Sequence, residues 1–226
     1  MPSRPLVRAL GWLALLALLA GLGMAFGYAP REAVQGNVQR IMYVHVPAVL
    51  TAYLAFGLVL TGSIGYLASA RMGWDRLAAA AAELGVLFTG ITIASGSIWG
   101  NATWGTWWTW DARLTSTAIL FLVYVGYLLL RAMVEEPERR GRFAAVVGIV
   151  GAANIPIVHF SVKWWRALHQ PSTILGPEPS PIAAPIAFAL LVNWVAFTLL
   201  FAYFLACRVE IARLEDAALQ GAVRAR

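Results

Sequence analysis

The sequence predicts an all-α integral membrane protein, a bundle of six transmembrane helices with an outward-facing tryptophan-rich loop. Three observations carry that expectation. Apolar residues make up 60% of the chain and charged residues only 12%, with a mean hydropathy of +0.71. A soluble domain is roughly half apolar and about a quarter charged. The apolar residues also fall in six charge-poor runs, each near the length of about 20 residues that a helix needs to cross the hydrocarbon core. Finally, the basic residues are divided unequally between the two sets of gaps that separate those runs. Helices follow from the runs because backbone groups in lipid must be satisfied within the segment itself.

In chain order the spans are expected near residues 6–28, 46–70, 77–98, 115–133, 143–160 and 183–206. In the first, Arg4 and Arg8 precede a leucine/alanine run, as in a signal peptide. The run is too long for a signal-peptide core, so a retained helix is expected. The second span follows His45 and opens at Pro47. The third carries one carboxylate, Glu83, in its inner half. An intramembrane charge is costly and suggests function, unless it snorkels or pairs with Arg76. The fourth follows a tryptophan-rich segment at residues 99–115. The fifth holds Asn154, Pro156 and His159 towards its outer end, and the sixth holds Asn193 and ends just before Cys207. With no internal repeat or low-complexity linker, residues 1–226 read as one six-helix membrane domain.

Lys and Arg concentrate in cytoplasmic loops. Twelve of the 17 basic residues lie on one side: Arg4, Arg8, Arg71, Arg76, Arg131, Arg139, Arg140, Arg142, Arg208, Arg213, Arg224 and Arg226. The other side holds Arg31, Arg40, Arg113, Lys163 and Arg166. Both termini are therefore expected in the cytoplasm and the tryptophan segment outside. The net charge of +6 is a topology signal rather than a nucleic-acid patch. The single Cys207 leaves no disulfide framework, no C-x-x-C redox pair and no C-x-x-C-H haem attachment site. Without a G-x-x-x-x-G-K-[ST] loop, any ATP chemistry must be external.

The segment WGNATWGTWWTWD, Trp99–Asp111, holds five of the ten tryptophans. One reading is an aromatic belt at the headgroup level. Belts place one or two rings per helix end, and five in one loop exceed that. The alternative is a platform for a large, flat, apolar ligand, with indole faces for stacking and N–H groups for a polar edge. Gly100 and Gly105 let the backbone pass close to such a ligand. The three histidines, His45, His159 and His169, fall on the same outer level. Neutral imidazole is a standard axial ligand for haem iron, and two histidines flanking the platform would form a clamp. A single histidine is more often a hydrogen-bonded structural residue.

The stretch WGTWWTWDARLT, Trp104–Thr115, resembles the tryptophan-rich WWD signature of the haem-handling proteins of cytochrome c maturation. Two more stretches, RIMYVHVPA (Arg40–Ala48) and NIPIVHFSVKWWRALHQPST (Asn154–Thr173), carry a similarity over nearly the whole chain to the six-span CcmC family. The resemblance implies a bacterial inner-membrane protein that binds haem b as cargo at its periplasmic face. It implies delivery to the periplasmic haem chaperone CcmE, alongside the ABC-type subunits CcmA and CcmB and the small membrane protein CcmD. By local motif the family's two axial histidines map onto His45 and His169, whereas His159 maps to a position not assigned a ligand and is therefore read as structural, bonded to backbone freed near Pro156. Trp99, Trp104, Trp107, Trp108 and Trp110 are expected to form the platform. Asp111 is expected to support it, by accepting from an indole or pairing with Arg113.

Haem also carries two propionates. Arginine's planar fork suits a carboxylate, and Arg40 and Arg113 lie inside the matched stretches, so both are expected as propionate partners. Arg31 and Arg166 read as solvated loop charges, with Lys163 on the same face. Two other functions compete with binding and transfer: conduction of haem through the bundle, or redox chemistry on another flat ligand such as a quinone. Conduction calls for polar residues along several spans, and only Glu83, Asn154 and Asn193 stand out. A redox enzyme usually buries histidine pairs within the membrane, whereas these histidines gather at one face.

Overall fold

The computed structural model describes residues 4–165, 167–169 and 182–224. The helices in chain order are α1 (Arg4–Gly23), α2 (Met42–Ser69), α3 (Met72–Trp104), α4 (Ala112–Met133), α5 (Pro137–Ala152), α6 (Asn154–Trp164) and α7 (Ala184–Arg224). A π turn, Met24–Tyr28, extends α1, and a 3₁₀ turn, Val38–Ile41, leads into α2. Among the described residues, six helical segments are long and apolar enough to cross a membrane, α5 and α6 together forming the fifth. The protein is thus an all-α, multi-pass membrane protein.

Several helices run past the expected ends. Helix α3 begins at Met72 and continues through Trp104, so Trp99–Trp104 form its last turns rather than a loop. Nothing in NATW breaks a helix, and termination waits for Gly105. That residue adopts φ +74° and donates its N–H to the Asn101 carbonyl, the left-handed cap that glycine makes without a Cβ clash. Helix α2 starts at Met42, which puts His45 and Pro47 inside it. The fifth span breaks at Ala153. Pro156, lacking an N–H, cannot complete the ladder back into α5, and Asn154 donates instead to the Ser116 carbonyl of α4 at 2.8 Å.

Helix α2 is the centre of the bundle, packed on α3, α5 and α7. Small residues permit this, as they do wherever helices associate in lipid. Ala48, Ala52 and Ala55 of α2 and Ala78, Ala81 and Ala82 of α3 are all buried in one core. A Cβ on Gly85 would strike the Phe56 ring, so that glycine is the seat of Phe56. Phe56 in turn stacks on Tyr124 of α4, with centroids 3.9 Å apart. Helix α1 packs on the outside, against α7. There Asn193 donates to the Gly21 carbonyl at 3.1 Å, in a gap that only glycine leaves open.

At the end of the bundle away from the tryptophans, α3 is fastened by bidentate ion pairs. Asp75 takes both guanidinium ends of Arg131 from α4 at 2.6 and 2.8 Å. Glu83 takes Arg208 from α7, with Nη2 at 2.9 Å from Oε1. The expected partner of Glu83, Arg76, reaches Asp216 instead, at 3.7 Å. Position decides the exchange: Arg76 lies two turns nearer the helix start, while α7 brings Arg208 level with Glu83. The intramembrane carboxylate is therefore one half of a helix–helix clamp.

Candidate functional site

The last turns of α3 carry the centre of the site. Ser95 and Trp99 are four residues apart and so share one helical face, and both touch His45 from α2. The His45 Nδ1 lies 3.1 Å from the Ser95 hydroxyl, and the ring meets Trp99 edge to face at 5.7 Å. Gly96 makes the space, since a Cβ there would be 2.8 Å from His45 Cε1. Trp99 is fixed at its far end, its indole N–H donating to Gln35 Oε1 at 2.9 Å. A turn closed by Glu32, which accepts from the Val34 N–H at 2.8 Å, presents that Gln35.

After Gly105 the chain crosses to α4 in six residues, Thr106–Asp111, held by its own threonines and by Ser97 of α3. Ser97 donates to the Trp107 carbonyl and Thr106 to the Trp108 carbonyl. Asp111 ends the crossing as the N-cap of α4, Oδ1 accepting from the Leu114 N–H at 2.9 Å. Its Oδ2 is 3.4 Å from the Thr109 hydroxyl and 3.9 Å from His169 Nδ1. The expected partners, an indole and Arg113, are not what it holds. Asp111 is committed to the helix terminus, where an acceptor satisfies otherwise orphaned N–H groups, and its free oxygen faces a histidine.

His169 packs edge to face on Trp104, with centroids 4.9 Å apart. Its Nδ1 is buried with no hydrogen-bond partner among the described residues. Burial holds this imidazole below its ordinary titration range. The Arg113 charge acts in the same sense, and Asp111 partly opposes it. The ring is therefore neutral at neutral pH, the form that ligates metal.

These side chains line one cavity of about 290 Å³, at the lower edge of the roughly 300–1,000 Å³ of small-molecule sites. His45, His159, His169, Arg113 and the rings of Trp99, Trp104, Trp107 and Trp108 all border it. Arg113 Nη2 donates to the His159 carbonyl at 3.2 Å, while its buried Nε has no partner among the described residues. The Trp108 indole N–H is likewise buried without one. These two unpartnered donors give a largely apolar cavity a small polar complement.

Other expected members stand apart. Trp110 is 79% exposed, its ring outside the cavity and edge-on to Trp108 at 5.5 Å. Arg40 points away: its Nη1 donates to the carbonyls of Ala25 and Phe26, both at 2.9 Å, capping the end of the first span. It borders a separate groove with Phe26 and Val44. The His159 ring packs between Tyr53 and Phe160 rather than on backbone near Pro156, and it does border the cavity. Lys163 lies over the Phe160 ring, Arg31 beside Gly36, and Arg166 falls outside the described residues. Sequence reasoning missed Ser95, Gly96, Gln35 and Tyr53. Only Ser95 left a signal, its i,i+4 spacing to Trp99.

Fold and cavity together define a multi-pass membrane protein with an aromatic, histidine-lined cavity at one end of its bundle. The sequence matches the family described as "Heme exporter protein C" over residues 2–222. It is 41% identical over 218 residues to heme exporter protein C of Bradyrhizobium diazoefficiens, covering 94% of this chain and 82% of the relative. It is 38% identical over 184 residues to heme exporter protein C of Escherichia coli K12, covering 79% and 75%. Similarity extends to a putative cytochrome c biosynthesis ccmC-like mitochondrial protein of Arabidopsis thaliana, 37% identical over 163 residues, or 72% and 60% of the two chains. The chain belongs to the heme exporter protein C (CcmC) family.

Proposed function

We propose that this protein handles haem in c-type cytochrome biogenesis, holding haem b as cargo in the tryptophan-lined cavity with His45 and His169 as axial ligands. One observation carries the reading. Two histidines on different helices and segments, each braced edge-on by its own tryptophan, border the same cavity with a free arginine donor. The whole chain works as one unit in the inner membrane, both termini cytoplasmic and the cavity on the periplasmic side, as the distribution of basic residues favours.

The residues divide the task. Trp99 and Trp104 hold the histidines and supply apolar wall. The Arg113 Nε and Trp108 N–H receive acidic edges of the cargo, the arginine through a charge-assisted bond. Two imidazoles occupying both axial positions keep the iron from oxygen chemistry. Trp107, exposed and lining the cavity, marks the face where the chaperone CcmE takes the cargo. CcmA and CcmB, with CcmD, supply the nucleotide-driven step. Conduction through the bundle is less well supported: Glu83, Asn154 and Asn193 are each engaged in helix–helix bonds.

The test is the absorption spectrum of the detergent-purified protein, wild type beside His45→Ala and His169→Ala. Bis-histidine haem that weakens or changes spin state in either variant is the expected result. Unaltered spectra in both would refute the ligand assignment.

A further inference from the structure

We infer that Ser95 is a positioning residue that fixes the tautomer of His45, so that the imidazole carries its proton on Nδ1 and presents Nε2 as a bare lone pair to the cavity. The inference rests on the reading of His45 as an axial ligand only for its functional consequence. The tautomer itself follows from the contacts of the hydroxyl.

A serine hydroxyl has one proton and two lone pairs. The Ser95 Oγ lies 2.7 Å from the Ile91 carbonyl oxygen and 3.3 Å from that of Thr92, both of which can only accept. The proton therefore goes back along the helix, most strongly to Ile91. Towards His45 Nδ1, at the longer 3.1 Å, the oxygen is left to accept, and the nitrogen facing it must be the protonated one. Ser95 is largely buried on α3, at the edge of the groove that Arg40 borders. Gly96 keeps the ring in this pose, since a Cβ would strike Cε1, the atom between the two nitrogens.

The consequence concerns the metal bond. A ligating histidine usually gives its second N–H to an acceptor that fixes the ring and raises its basicity. A neutral hydroxyl does this more weakly than a carboxylate. His45 is backed by Ser95, and His169 faces the Asp111 carboxylate at 3.9 Å. The Asp111 oxygen is beyond hydrogen-bond distance of His169, so of the two imidazoles it is His45 whose orientation a hydrogen bond fixes.

The deciding experiment uses haem-free, ¹⁵N-histidine-labelled full-length protein in detergent. Long-range ¹⁵N–¹H spectra report the tautomer, and His45→Ala identifies the resonance. The proton is expected on Nδ1 in the wild type and in Ser95→Thr, and distributed towards Nε2 in Ser95→Ala. A wild-type proton on Nε2, or an unchanged Nδ1 tautomer in Ser95→Ala, overturns the inference. Should Ser95→Ala not fold, the wild-type spectrum decides by itself. Loaded with ferric haem, Ser95→Ala should lose roughly two- to tenfold of its preference for ferric over ferrous iron. That is an upward shift of no more than about 59 mV in midpoint potential, which Ser95→Thr restores. If Ser95 controls the tautomer while His45→Ala leaves the haem spectrum intact, the ligand reading fails and the tautomer assignment stands.

Discussion

Replacing Gly96 by alanine separates the stability of the bundle from the competence of its site. The added Cβ would lie 2.8 Å from His45 Cε1 and 3.3 Å from Nδ1. Carbon atoms settle at about 3.5–4.0 Å, so the ring must retreat by roughly 0.7 Å or more. It is held by the Ser95 hydroxyl at 3.1 Å and the Trp99 edge at 5.7 Å. Retreat breaks the hydroxyl contact, a net loss of about 0.5–1.5 kcal/mol. Against that, alanine is better than glycine in a helix interior by about 0.8–1.0 kcal/mol. The two terms nearly cancel, and the melting temperature in detergent should barely move. Haem binding should not be spared, because losing the group that orients a ligating histidine typically weakens metal binding about 10–100-fold. Haem titration by absorbance and thermal unfolding on one preparation read both quantities. Wild-type affinity and spectrum in Gly96→Ala would refute the placement of His45. A large fall in melting temperature would refute the cancellation.

Asp75→Ala removes one partner of a pair in which the two side chains are 4% and 14% exposed and should destabilise the bundle by about 3–5 kcal/mol; thermal unfolding measures it, and the haem spectrum should be unchanged because the pair sits at the far end. The pH dependence follows from His169, held below the ordinary imidazole value of about 6.5 by burial and by Arg113. Its folded value is depressed, so its contribution to stability is complete above the ordinary value and is lost as pH falls from there through the folded value. Haem affinity should therefore stay level from pH 8 to about 6.5 and fall only below. Asp111→Asn, which keeps a helix cap, should move that fall further into acid, and a fall centred above 6.5 would contradict the assigned cause. Arg113→Glu should lower haem retention in the purified protein by about tenfold or more, placing repulsion where a charge-assisted bond is worth about 1.5–3 kcal/mol. Arg40→Gln should leave retention unchanged, because that side chain is occupied by the carbonyls of Ala25 and Phe26; equal losses in the two variants would refute the distinction.

The sequence by itself determined the six spans, because lipid leaves the backbone no alternative to a helix and because length and apolarity are properties of a segment read alone. It also marked the aromatic segment and the histidines, whose residue types are rare enough in such a chain to stand out. It misjudged where helices end, since the tryptophans of α3 remain helical until Gly105 and no charge or proline announces the boundary earlier. Partners were the larger loss. That Glu83 meets Arg208 rather than Arg76, that Asp111 caps α4 and faces His169, and that Arg40 turns to the first span all depend on which helix lies beside which. These pairs are separated by up to 125 residues in the chain, and one sequence holds no record of contacts between such distant segments. Ser95 shows the limit most plainly. Its spacing to Trp99 places it on the right face of α3, but only the packing of α2 against that face brings His45 to its hydroxyl.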